Sequence, residues 1–166
     1  GYVAAIPNGK KVYAEVAAGN IRSSGFDLNG CWVPNYTLHK LFAGLRDAYR
    51  LCGNEQALAV ARGLADWLET THANLNEDQM QRILAAEHGG MNETLADLYA
   101  DTGEKRYLAL SRRFHHKAIL EPLARGEDIL PGKHANTQIP KLIGLGTRYE
   151  LDGDPADRAA ANFFWD

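Results

Sequence analysis

Two cysteines in 166 residues, Cys31 and Cys52, exclude a disulfide framework. They lie in unrelated contexts, so neither a zinc site nor a bridge is expected from them. Long apolar runs are also missing. None approaches 18 residues, which leaves no candidate for a spanning helix and no membrane partner. Basic surplus is absent too: 18 Lys and Arg against 21 Asp and Glu give a net charge of −3, with the cations scattered. That balance argues against nucleic acid. The chain opens GYVAAIP without an initiator Met and stops abruptly at FFWD, which reads as a piece of a longer protein. Compartment is therefore unknown, with extracytoplasmic and cytoplasmic locations equally open.

What is present is a globular composition, 45% hydrophobic and 23% charged, of a length suited to one domain. Self-similarity organises it. Leu45, Leu95 and Leu145 are spaced by fifty, and so are Tyr49, Tyr99 and Tyr149, then Gly53, Gly103 and Gly153. Each period reads helix, tight glycine turn, helix. CGNEQ, TGEKR and DGDPA place Gly where a left-handed C-cap closes a helix, so three αα-hairpins are expected over 39–166.

The spacing of apolar residues sets the expected buried faces. They are Leu41, Leu45, Ala48 and Cys52, then Leu58, Ala61, Leu64, Ala65 and Leu68. The second hairpin offers Met91, Leu95 and Leu98 opposite Tyr107, Leu110, Ser111, Phe114 and Ala118. The third offers Ile139, Leu142, Ile143, Gly146 and Tyr149 before a helix from Pro155 to Trp165. Asn76-Glu77-Asp78-Gln79 resembles a capping box for a short extra helix. Residues 1–38 read as an irregular lead-in, mostly loop with a short strand or helix.

The stretch AAEHGGMNE interrupts one helical pattern and begins another. Two glycines in succession disfavour a helix by about 1 kcal/mol each, so the break is real. It also carries an imidazole. Counting back from the repeat tyrosines places His39, His88 and His134 at the N-terminal mouths of the first helices, on one expected rim. Trp32 and Tyr36 would stack there, and Glu87, Asn92, Glu93, Asn136 and Gln138 would supply hydrogen bonds. Such a set suits a polyhydroxylated ligand. Lys141 is read as either a site cation or a surface charge. His115 and His116 are expected within a second helix and given no role, His72 is expected in solvent, and Met91, Trp67 and Trp165 are expected to pack.

NGCWVPNYTLHKLFAGLRDAY, EQALAVARGLADWL, QMQRILAAEHGGMNETLADLY and KHANTQIPKLIG, ending in FFWD, together resemble the β-L-arabinofuranosidase-type glycoside hydrolases. The likeness runs through nearly the whole chain in order. It implies an all-α catalytic domain, the αα-hairpin repeats forming about half of an (α/α)6 toroid. It also implies retaining hydrolysis of plant-derived arabinosides, with His39, His88 and His134 as sugar contacts. The family's zinc-bound cysteine nucleophile and its acid/base glutamate are expected in sequence beyond this chain. Zinc is accordingly expected in the full-length enzyme and no metal site among these residues. The carbohydrate substrate is the expected partner, and self-association of the chain is expected from an uncovered hairpin flank. A sugar epimerase on a similar toroid and a non-catalytic helical-repeat binding module are the alternative readings.

Overall fold

A computed structural model describes all residues, 1–166. The chain divides into two compact units, Gly1–His88 and Gly89–Asp166. No helix is long and apolar enough to cross a membrane.

The first unit begins with helix α1 (Gly9–Ala17). A three-stranded antiparallel meander follows, β1 (Ser23–Ser24), β2 (Asp27–Leu28) and β3 (Cys31–Trp32). The lead-in is thus more ordered than its Gly, Asn and Pro content suggests. Helices α2 (Pro34–Cys52) and α3 (Glu55–His72) form the first hairpin. Asn76 then opens α4 (Glu77–Leu84) through a complete capping box with Gln79, as its sequence implies. Val12, Tyr13 and Val16 of α1 join Leu38, Phe42, Leu64, Leu68, Met80 and Ile83 in the buried set of this unit.

The second unit holds the other two hairpins, α5 (Met91–Thr102) with α6 (Lys105–Arg113) and α8 (Ala135–Asp152) with α9 (Pro155–Trp165). Between them runs α7 (Lys117–Ala124), a helix inside what reads as connector. Ile119, Leu120 and Leu123 of α7 pack with Leu142, Leu145 and Ala160 as one apolar cluster. The fold is all-α and built on helical hairpins.

The three glycines spaced by fifty share one geometry. Gly53, Gly103 and Gly153 each follow the last residue of a helix, at φ 65°, 72° and 75°. Their amides close back onto Ala48, Tyr99 and Tyr149 carbonyls. Side chains bearing a Cβ are disfavoured there.

Three expected faces need correction. In α2 burial centres on Asn35, Leu38, His39 and Phe42, whereas Leu41, Leu45 and Ala48 are half-buried and Cys52 is exposed. Polar Asn35 is admitted because its Oδ1 accepts from the Tyr13 hydroxyl at 2.6 Å. Ala118 is exposed because α6 ends at Arg113 and α7 restarts the helical phase at Lys117. In α8 the buried residues are Gln138, Lys141, Leu142, Leu145 and Arg148, while Ile139 and Ile143 face solvent. Among the tryptophans, Trp67 packs edge-on against Tyr2 and Tyr13, but Trp165 is 87% exposed. Trp165 is the last helical residue of α9.

Two glycine substitutions should separate the repeat turns from helix interiors. Gly103→Ala is expected to destabilise by about 1–2 kcal/mol, because a Cβ opposes the left-handed conformation. Gly44→Ala, in α2 with open space around its Cα, is expected to stabilise by up to about 1 kcal/mol. Chemical denaturation of the two variants against the parent measures both signs.

Candidate functional site

In the first unit the expected site residues fall into two groups. Tyr36, His39, Glu87 and His88 lie on or beside the helices. Trp32 lines a cavity between α1 and the meander, with Asn8, Lys11, Glu15, Arg22 and Asn29. His39 is the sixth residue of α2, not at its mouth, because the helix starts earlier than expected, at Pro34. Its ring is buried and meets Tyr36 edge-on at 5.7 Å. Burial, and secondarily the charge of Lys40, pushes its pKa down to about 4. The imidazole is therefore neutral at pH 7, with one donor and one acceptor nitrogen.

His88 is fully buried in the break that follows α4. Its Nδ1 lies 3.1 Å from the Ala86 carbonyl, an acceptor, so Nδ1 carries the proton and Nε2 the lone pair. The break is anchored by the Glu87 amide, which donates to the Gly25 carbonyl at 2.7 Å. Glu87 is thus held through its backbone, which sequence reading did not anticipate. Gly89 takes φ +56° and Gly90 caps α5, so the glycine pair both ends one helical path and opens the next. His72, expected in solvent, is fully buried, with Nδ1 at 2.8 Å from the Leu68 carbonyl one turn back. That bond satisfies Nδ1 inside the core.

In the second unit Asn92 is fully buried, and Glu93 beside it is half-buried. The Asn92 amide donates to the Lys141 carbonyl at 2.9 Å, and its backbone carbonyl accepts from Ser111 Oγ at 2.5 Å. Its Oδ1 is buried without a partner. Gly144 makes this seat possible, since a Cβ there would stand 2.3 Å from Asn92 Nδ2. His134 is the exposed N-cap residue of α8, and Asn136 is exposed beside it. Gln138, one turn on, is buried.

Lys141 resolves toward the interior. It is 2% exposed, and its ammonium donates to Gln138 Oε1 and to His116 Nδ1, each at 3.0 Å. His115 and His116 are correspondingly not in a helix but in the gap between α6 and α7. Arg148, seven residues after Lys141 and on the same buried face, donates to His115 Nδ1 at 3.0 Å. It also makes a bidentate pair with Asp157 at 2.8 and 2.5 Å. Burial and then Lys141 push His116 down to about 3. Burial and then Arg148 lower His115. Both rings are held neutral as acceptors for a cation. Local periodicity does not reveal this double pairing; its signal in the sequence is the dipeptide His115-His116 with two cations spaced by seven on α8.

No three His, Cys, Asp or Glu side chains converge as a metal site. Cys31 is a buried free thiol and Cys52 an exposed one.

The whole chain, residues 1–166, matches the family described as Beta-L-arabinofuranosidase, GH127 catalytic domain. A non-reducing end beta-L-arabinofuranosidase of Bifidobacterium longum subsp. longum is 44% identical over 64 residues. That stretch is 39% of this chain and covers 9% of the relative's length. The chain belongs to the GH127 catalytic-domain family.

Acid should destabilise this protein through the buried imidazoles. Above about pH 6.5 the rings are neutral in both folded and unfolded chains, so nothing is lost. Between that value and the folded values of about 4 for His39 and about 3 for His116, only the unfolded chain takes up these protons. Stability therefore falls as pH drops through that window. The thermal midpoint should decline from pH 6.5 to pH 4, and His39→Gln should flatten the decline (stability measured relative to each variant's own value at pH 7.5).

Proposed function

We propose that this chain carries substrate-reading residues of a retaining β-L-arabinofuranosidase, and that its hairpins form about half of an (α/α)6 toroid. The observation that supports the reading most is the family match over residues 1–166, in which the motifs around His39, His88 and His134 occur in order. The relative named as an arabinofuranosidase adds the substrate class.

The chemistry of the first unit suits that role. A furanose presents hydroxyls that both donate and accept, and a neutral imidazole can answer either. His39 is kept neutral by burial. His88 has its tautomer fixed by Ala86, which makes Nε2 the acceptor nitrogen of the ring. His134, Asn136 and Gln138 of α8, with Asn92 and Glu93 of α5, are proposed as further sugar contacts on the resemblance.

Retention requires a nucleophile and an acid/base on either side of the scissile bond. The family's zinc-held thiolate and glutamate are proposed to lie outside these residues, because Cys31 and Cys52 stand in neither a metal cluster nor a matching motif. Glu87 and Glu93 are proposed to position the imidazoles and the sugar rather than to transfer the proton. The exposed Ile139, Ile143, Phe163 and Trp165 of the α8–α9 hairpin support self-association of the isolated chain.

The full-length protein is expected to release nitrophenol from an aryl β-L-arabinofuranoside, with His88→Ala lowering kcat/KM by about 100-fold or more, or about 3 kcal/mol. The 166-residue chain by itself is expected to give no turnover. Epimer formation from free sugar without nitrophenol release, or turnover by the isolated chain that His88→Ala abolishes, would overturn the assignment.

A further inference from the structure

We infer that the cleft between α1 and the meander is a second sugar-binding site, built on Trp32 and separate from the histidine group. The inference rests on the glycosidase reading for the ligand class alone; the site itself stands on geometry within the first unit. The cleft has a volume of about 360 Å³, room for one sugar ring at the small end of ligand pockets. No imidazole lines it.

Trp32 is 71% exposed, and its ring leans on Phe26 at 5.2 Å with a tilt of 31°. An indole left in water on a rigid mount offers an apolar plate with a polar edge, which suits the C–H face of a sugar ring. The backbone is strained to keep it there. Val33, the next residue, holds φ 37°, a conformation that β-branched side chains disfavour, and its amide is tied to the Phe26 carbonyl at 2.7 Å. Asn8 and Asn29, both in the cleft wall, also take positive φ, 55° and 53°. Two of the three non-glycine residues with positive φ therefore line the cavity, and the third, Val33, directly follows Trp32.

The wall is also fixed before any ligand arrives. Asn29 accepts from the Arg22 amide at 2.7 Å and donates to Asn20 O at 2.8 Å and Glu15 Oε2 at 3.1 Å. Arg22 adds an ion pair to the same oxygen at 2.9 Å. Glu15 Oε1 is left to accept from a hydroxyl, while exposed Lys11 and the Asn8 amide, which does not cap α1, can donate or accept. Arg22 and Glu15 pair with each other and Lys11 adds one exposed cation, so the cleft offers both donors and acceptors. A neutral polyol ring satisfies both.

The test uses the full chain titrated with L-arabinose, read through the indole N–H signals of its three tryptophans, that of Trp32 being assigned from its loss in Trp32→Phe. The Trp32 signal should move saturably at millimolar sugar while Trp67 and Trp165 stay. By calorimetry Trp32→Ala should weaken binding about tenfold or more, Trp32→Phe should retain it within about threefold, and Lys11→Met should weaken it severalfold. A Trp32 signal unmoved up to about 100 mM sugar, or equal affinity in Trp32→Ala, overturns the site. Saturation at Trp32 together with no arabinoside hydrolysis by the full-length protein would sink the glycosidase reading and leave the site standing. Hydrolysis by the full-length protein with an unmoved Trp32 would do the reverse.

Discussion

Burial of two cations on one face of α8 constrains the second unit. An unpaired buried charge is strongly unfavourable, so Lys141 and Arg148 can enter the interior only if acceptors are built around them. Asp157 on α9 answers Arg148 with both carboxylate oxygens, which ties the two helices of that hairpin across their turn. The remaining acceptors come from the gap between α6 and α7, where His115 and His116 each turn an Nδ1 to one cation. A continuous helix through 113–117 would not leave the two rings on that path. The break before α7 thus supplies both acceptors, and Ile119 and Leu120 of that helix pack against Leu142 and Leu145 of α8. Such a network favours a particular packing more than it adds net stability, because desolvation offsets much of the attraction.

Asn92 connects that network to the residues proposed to read substrate. Its amide grips the Lys141 carbonyl where Gly144 leaves room, so α5 and α8 meet at a polar contact with no tolerance for a larger residue. Its unpartnered Oδ1 sits in the interior of the same unit, a place where an ordered water commonly completes the hydrogen bonding.

The first unit solves a different problem. His39 and His88 are removed from water without a charge, one by burial that keeps it neutral and the other by a carbonyl that fixes its tautomer. His72 shows that the same carbonyl device also serves packing alone. A buried imidazole is therefore not in itself a functional signal. What distinguishes His88 is its place in a glycine-rich break rather than inside a helix.

Local rules were enough for the punctuation of this chain. Gly53, Gly103 and Gly153 close helices because only a residue lacking Cβ takes the left-handed conformation freely, and Asn76 caps α4 because its side chain reaches an amide three residues on. Those rules act within a few residues, so hairpins, caps and the break at EHGG are legible in order along the sequence. Which face of α2 or α8 turns inward is not local. Apolar spacing favoured Ile139 and Ile143, yet Lys141 and Arg148 are buried, because their partners lie 25 to 33 residues away in sequence for the histidines and on the next helix for Asp157. Trp32 follows the same logic: the fold of α1 against the meander sets which residues share a cleft with it. Burial of a polar or aromatic side chain depends on what tertiary packing brings to it, and one-dimensional periodicity does not contain that information.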